Sequence, residues 1–135
     1  MHYTFIVQIK FEKSMRFLDF ALDYSGRKTK MIEVTQENYE KTVLNSNLPV
    51  VIEFGAVWCA PCKRLEPELE KLAEQWKDKF ILAHINVDQD SDLALQYSVM
   101  SVPTVILVKN GEEMERFSGF KPIGKIIEAF ESYIL

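Results

Sequence analysis

Residues 50–76 read VVIEFGAVWCAPCKRLEPELEKLAEQW. The run Val50–Phe54 is apolar and rich in β-formers, broken only by Glu53, as expected of a strand buried on both faces. From Cys62 to about Lys77 the spacing becomes helical, with Leu65, Leu69, Leu72, Ala73 and Trp76 on one stripe. Pro67 lies inside that helix and is expected to bend it. Between strand and helix stand the chain's only two cysteines, Cys59 and Cys62, separated by Ala60 and Pro61. In open α/β sheets the carboxyl end of a buried strand is where ligands and chemistry collect.

The flanking segments extend this pattern. Upstream, residues 32–34 (IEV) suggest a short strand, and Thr35 is expected to N-cap a helix running to about Leu44. Downstream, residues 80–87 (FILAHINV) read as a second buried strand, followed by a short helix capped at Ser91. TVILVKNGEEMERFSGF, residues 104–120, predicts a hairpin turning at Asn110-Gly111. A last helix is expected to open on Pro122. The order βαβαβαββα implies parallel neighbours through crossovers plus an antiparallel hairpin, hence an α/β domain with a central mixed sheet.

The 135 residues, 47% hydrophobic and 27% charged, suffice for one domain with a real core. Charge divides the chain near residue 30. Residues 1–30 hold six basic and three acidic residues, and residues 31–135 hold ten and seventeen. We therefore separate an N-terminal extension, 1–30, from a main domain, 31–135. YTFIVQIKF could form a strand and MRFLDFALDY a helix, with YSGRKTK as a linker. Thirty residues cannot build a core alone. The extension packs on the main domain, folds in part, or precedes a second start at Met31. The net charge of −4 and the lack of a basic stripe argue against a nucleic-acid partner. No apolar run approaches the roughly 20 residues that span a bilayer, so no membrane association is expected. MHYTFIVQIKFEKS lacks the features of a secretory signal, which makes the cytoplasm the expected location.

Cys59 should sit where helix N–H groups and the positive end of the helix dipole favour its thiolate. Cys62, three residues on, falls on the same side of the first turn and within disulfide reach. Pro61 is tolerated there because its missing N–H has no helical acceptor. The spacing suits one exposed nucleophilic thiol and one shielded resolving thiol, and so disulfide exchange. A structural disulfide closing so small a loop would stabilise little. A zinc site would need ligands beyond this pair, and His2 and His84 lie far away in sequence; no metal is expected. Two inert core cysteines leave their place at a strand-to-helix turn unexplained.

WCAPCK followed by LEPELEKLA, VDQD, SVPTVILVKNGE and FSGF resembles the thioredoxin family over about residues 31–135. The resemblance implies a thioredoxin fold, a mixed five-stranded sheet flanked by helices. It also implies protein-disulfide reduction by a monomer that carries electrons from a thioredoxin reductase to disulfide-containing protein substrates. Position by position, Cys59 becomes the attacking thiolate and Cys62 the resolving thiol, with no cofactor beyond that redox pair. Ala-Pro between them suggests a potential nearer the about −270 mV of thioredoxin than the about −120 mV of a strong oxidant. Pro103 in SVPT matches the family's cis-proline, which would keep a donor off the thiolate and present the Val102 backbone to an extended substrate. Trp58, Pro61, Val102, Gly119 and Phe120 would form the apolar substrate surface.

Glu53 stands where the family usually has Asp. Burial should raise its pKa and let it exchange a proton with Cys62. His84 replaces the usual Lys and could relay that proton or simply be a satisfied strand histidine. Gly55 stands at a commonly aromatic position, implying less packing beneath the active turn, and Ser101 at one often occupied by Gly. The acidic residues Asp88, Asp90 and Asp92 lack the pattern of a calcium loop and suggest a solvated loop and helix cap. Two other functions fit the same cysteines less well: a thioredoxin-fold binding or chaperone module, and a disulfide isomerase or oxidase.

Overall fold

The computed structural model describes residues 31–135. The strand, helix and linker expected within residues 1–30 lie outside the described residues.

Five strands form one sheet: β1 (Ile32–Glu33), β2 (Val50–Gly55), β3 (Ile81–Asn86), β4 (Thr104–Lys109) and β5 (Glu112–Ser118). Their order across the sheet is β1-β3-β2-β4-β5. β3 runs parallel to both β1 and β2, whereas β4 is antiparallel to β2 and β5. Every residue of β2 is buried, consistent with its central place and its continuous apolar run.

Alternation along β2 divides the core. Val50, Ile52 and Phe54 face a cluster with Val34, Tyr39, Val43, Ile85, Leu93 and Ile106. Val51 faces the other side, where Leu65, Leu69 and Leu72 of helix α1 (Ala60–Gln75) pack with Ile126 and Phe130 of helix α3 (Ile123–Ile134). Glu53 and Gly55 share the parity of Val51 and so take the α1 side of the sheet. Helix α1 continues past Pro67 without a break. Pro122 occupies the N-cap of α3.

Two helix starts differ from the sequence expectation. Glu40–Leu44 is a short π-helix in place of an α-helix capped by Thr35. The Thr35 N–H donates instead to the Asn38 side chain at 2.8 Å, and the Asn38 amide donates to the Glu33 carbonyl at 2.9 Å. Asn38 therefore ties the segment to β1 and uses the first turn for a loop. Helix α2 (Ser91–Gln96) has Asp90, not Ser91, at its N-cap, and the Asp90 carboxylate accepts the Gln36 N–H at 3.2 Å. That link joins two segments far apart in sequence.

The hairpin turns at Asn110 and Gly111, with φ of 53° and 78°. Positive φ at both central positions matches the twist of the flanking strands. Among the described residues, no helix is long and apolar enough to cross a membrane.

Candidate functional site

β2 ends at Gly55, and the chain turns through Ala56–Trp58 before α1 begins at Ala60. Cys59 is the N-cap residue, in extended conformation, and its sulfur accepts the Cys62 N–H at 3.2 Å. One of the helix's unpaired N–H groups is thus directed at the sulfur, where it favours negative charge in the reduced form. Pro61 lies in the first turn, where no N–H is required. Cys59 and Cys62 are joined in a disulfide, with Cα atoms 5.3 Å apart.

The expectation of an exposed attacking sulfur is corrected here. Cys59 is 3% exposed and Cys62 0%, and both cluster with Ala56 against Val87 and Val102. The N-cap position points the Cys59 sulfur back over its own helix start, and the disulfide holds it there. What stands in solvent is the rim. Trp58 is 71% exposed, and Val57 and Phe120 are also exposed. The Trp58 indole N–H donates to the Asp88 carboxylate at 2.8 Å. Asp88 was expected to be only a solvated loop acid; the Asn86 side chain, accepting the Asp88 and Gln89 N–H groups, folds the turn that presents it.

The Val102–Pro103 peptide is cis. Val102 packs against the cysteine cluster, Pro103 is buried, and its carbonyl accepts the Gly119 N–H at 2.8 Å. Gly119 has φ of 83°, a left-handed conformation that favours glycine. Arg64 lies over the Phe120 ring, 5.6 Å from its centroid. Trp58 and Cys59 thus come from the turn before α1, Pro61 and Cys62 from its first turn, Val102 and Pro103 from the segment before β4, and Gly119 from just after β5.

Beneath them lies an acid–histidine rung across three strands. Glu33 is in register with His84, and His84 with Glu53. His84 Nδ1 is 2.6 Å from a Glu33 oxygen, and its Nε2 is 3.6 Å from Glu53 Oε2. The first is a hydrogen bond, and the second exceeds that range. Glu53 has no solvent exposure, and neither of its carboxylate oxygens has a hydrogen-bond partner among the described residues. Burial, reinforced by the negative charges of Glu66 and Glu33 and partly offset by Lys63, pushes its pKa up to about 8. Glu53 therefore keeps its proton through most of the neutral range.

Gly55 was expected to leave a packing gap. The space is instead filled by its neighbours, since a Cβ there would lie 2.8 Å from Glu53 Oε1 and 3.2 Å from His84 Nε2. The longer acid and the missing side chain are two halves of one arrangement. Each was visible in the sequence, but not their contact.

The thioredoxin family profile matches residues 30–132. Mitochondrial thioredoxin of Mus musculus is 42% identical over 93 residues, covering 69% of this chain and 55% of the mouse protein. Thioredoxin of Chlorobaculum thiosulfatiphilum is 34% identical over 105 residues, covering 78% of this chain and 97% of that protein. The chloroplastic M-type thioredoxin of Spinacia oleracea is 34% identical over 102 residues, covering 76% of this chain and 56% of the spinach protein. The chain thus spans about half the length of the mitochondrial and spinach relatives it matches.

Proposed function

This chain belongs to the thioredoxin family, and on that premise we propose that it is a monomeric protein-disulfide reductase working through Cys59 and Cys62. The observation that carries this reading is the Cys59 sulfur at a helix N-cap, bonded to its partner cysteine and accepting a helix N–H.

In the reduced protein the Cys59 thiolate attacks one sulfur of a substrate disulfide. A mixed disulfide forms, and the other substrate sulfur leaves as a thiolate and takes a proton from solvent. Cys62 gives its proton to Glu53 when that carboxylate is ionised, and its thiolate attacks Cys59. The second substrate sulfur leaves and is protonated, and the Cys59–Cys62 disulfide remains. Two electrons have passed to the substrate, and the rate of each attack depends on thiolate fraction, nucleophilicity and access. Because Cys59 is nearly buried in the disulfide form, attack follows local opening of the Trp58 rim on reduction or on substrate docking. An extended substrate segment would lie along Val102 and Gly119 with Trp58 and Pro61 at its side. A thioredoxin reductase returns the electrons, and the cytoplasm, a reducing compartment, would keep the pair ready for the next turnover.

Dithiothreitol-driven insulin reduction tests the reading. The full chain should accelerate it and Cys59→Ser should not; equal rates for the two would reject it. NADPH with a thioredoxin reductase should replace dithiothreitol as the electron source. Equilibration with glutathione or dithiothreitol should place the potential nearer about −270 mV than about −120 mV.

A further inference from the structure

Below the disulfide, two side chains from the sheet and one from α1 bring metal-binding atoms together. Glu53, Glu66 and His84 each offer a donor, and these atoms lie within 4.8 Å of one another. Sequence spacing hides this grouping, because the residues come from β2, α1 and β3. Glu53 is fully buried, both its oxygens lack a hydrogen-bond partner among the described residues, and it is directed at the other two. A buried acid is normally satisfied by a partner, and among the described residues Glu53 has none.

We propose that Glu53, Glu66 and His84 bind one divalent cation of the zinc class, with Glu33 orienting His84 from behind. Glu33 lies 2.6 Å from His84 Nδ1. When it accepts the Nδ1 proton, the Nε2 lone pair is left free and faces Glu53, the carboxylate–histidine pairing common at metal sites. The Nε2–Oε2 separation of 3.6 Å is close to the edge of a tetrahedron built on zinc bonds of about 2.0–2.1 Å. Glu66 is partly buried on α1 and would close the remaining distance by a change of rotamer. Because position 55 is glycine, Glu53 Oε1 and His84 Nε2 can take this space, which a Cβ would enter at 2.8 and 3.2 Å from them. One imidazole nitrogen and two carboxylate oxygens suit zinc better than magnesium or calcium, which prefer oxygen alone. Three protein ligands leave a fourth position for water or a small anion. The cation would also offset the repulsion that Glu66 and Glu33 exert on Glu53. The cation and the Cys62 proton would compete for the Glu53 carboxylate, so binding is read in the oxidised chain, where no proton is transferred.

The test uses the full chain with Cys59–Cys62 oxidised, so that no thiolate competes, titrated with zinc chloride by calorimetry and by thermal unfolding. One zinc ion per chain should bind, and the unfolding midpoint should rise with zinc concentration. Excess magnesium should not displace it. Glu66→Gln and His84→Gln should each weaken binding by about tenfold or more, and Glu33→Gln by about tenfold. Glu66 lies on a helix surface, so Glu66→Gln remains informative if the His84 variant unfolds. No zinc retained by the oxidised chain would overturn the proposal. So would equal affinity in the parent and Glu66→Gln, which would place the ion elsewhere, for instance at His2.

Discussion

Glu53 and Gly55 are neighbours on one face of β2, and neither can be understood alone. The carboxylate occupies space that a Cβ at position 55 would enter at 2.8 Å. Gly55→Ala should therefore overpack the site and destabilise the fold by about 1–3 kcal/mol. In a Glu53→Ala background the same substitution should cost clearly less, because the 2.8 Å clash is gone and only His84 Nε2 at 3.2 Å remains. Urea unfolding of the four proteins measures this coupling, and an equal cost in both backgrounds would show that the two residues are independent. Both residue types were legible as departures from the family pattern. Their compensation was not, because it depends on a side-chain contact across a strand face.

At the scale of elements, the loop after β3 supports the apolar rim. Asn86 folds the turn and Asp88 holds the Trp58 indole. Asp88→Ala should free the indole and raise KM for a protein disulfide by about two- to tenfold, the worth of one hydrogen bond of ~0.5–1.5 kcal/mol. Tryptophan anisotropy should fall in parallel, and an unchanged KM would remove Asp88 from the site. In the hairpin, Gly111 has φ of 78°, and an added Cβ would meet nothing closer than 3.7 Å. Gly111→Ala should then cost only the left-handed conformation, about 1–2 kcal/mol, read as a lower unfolding midpoint with unchanged reductase activity. Strand, helix and hairpin positions were plain from periodicity and turn chemistry. The starts of the first and third helical segments were not, because the Asn38 and Asp90 side chains bond to other segments rather than capping their own helices.

For the molecule as a whole, the buried acid links stability to pH. Glu53 keeps its proton in the folded chain to about pH 8, while the unfolded chain releases it near the ordinary value of 4.5. The folded state thus binds more protons across that window, and Glu53 makes stability fall as pH rises through it. Its contribution is fully present below about 4.5 and lost as pH passes about 8. Urea midpoints should decline from about pH 5 to about pH 8, and Glu53→Gln should flatten that decline. An identical slope in the variant would mean that the acid is not the source.

By itself the sequence determined the α/β class, the order of strands and helices, the hairpin turn and the reactive pair. Each follows from local pattern: alternation, helical spacing, turn residues and two cysteines at a fixed interval. Tertiary structure alone decided that the Cys59 sulfur is nearly buried, that Asp88 anchors Trp58, and that Glu33, His84 and Glu53 form one rung with Glu66 nearby. Those contacts join residues remote in sequence, and their energies depend on strand register and burial, which no local spacing encodes.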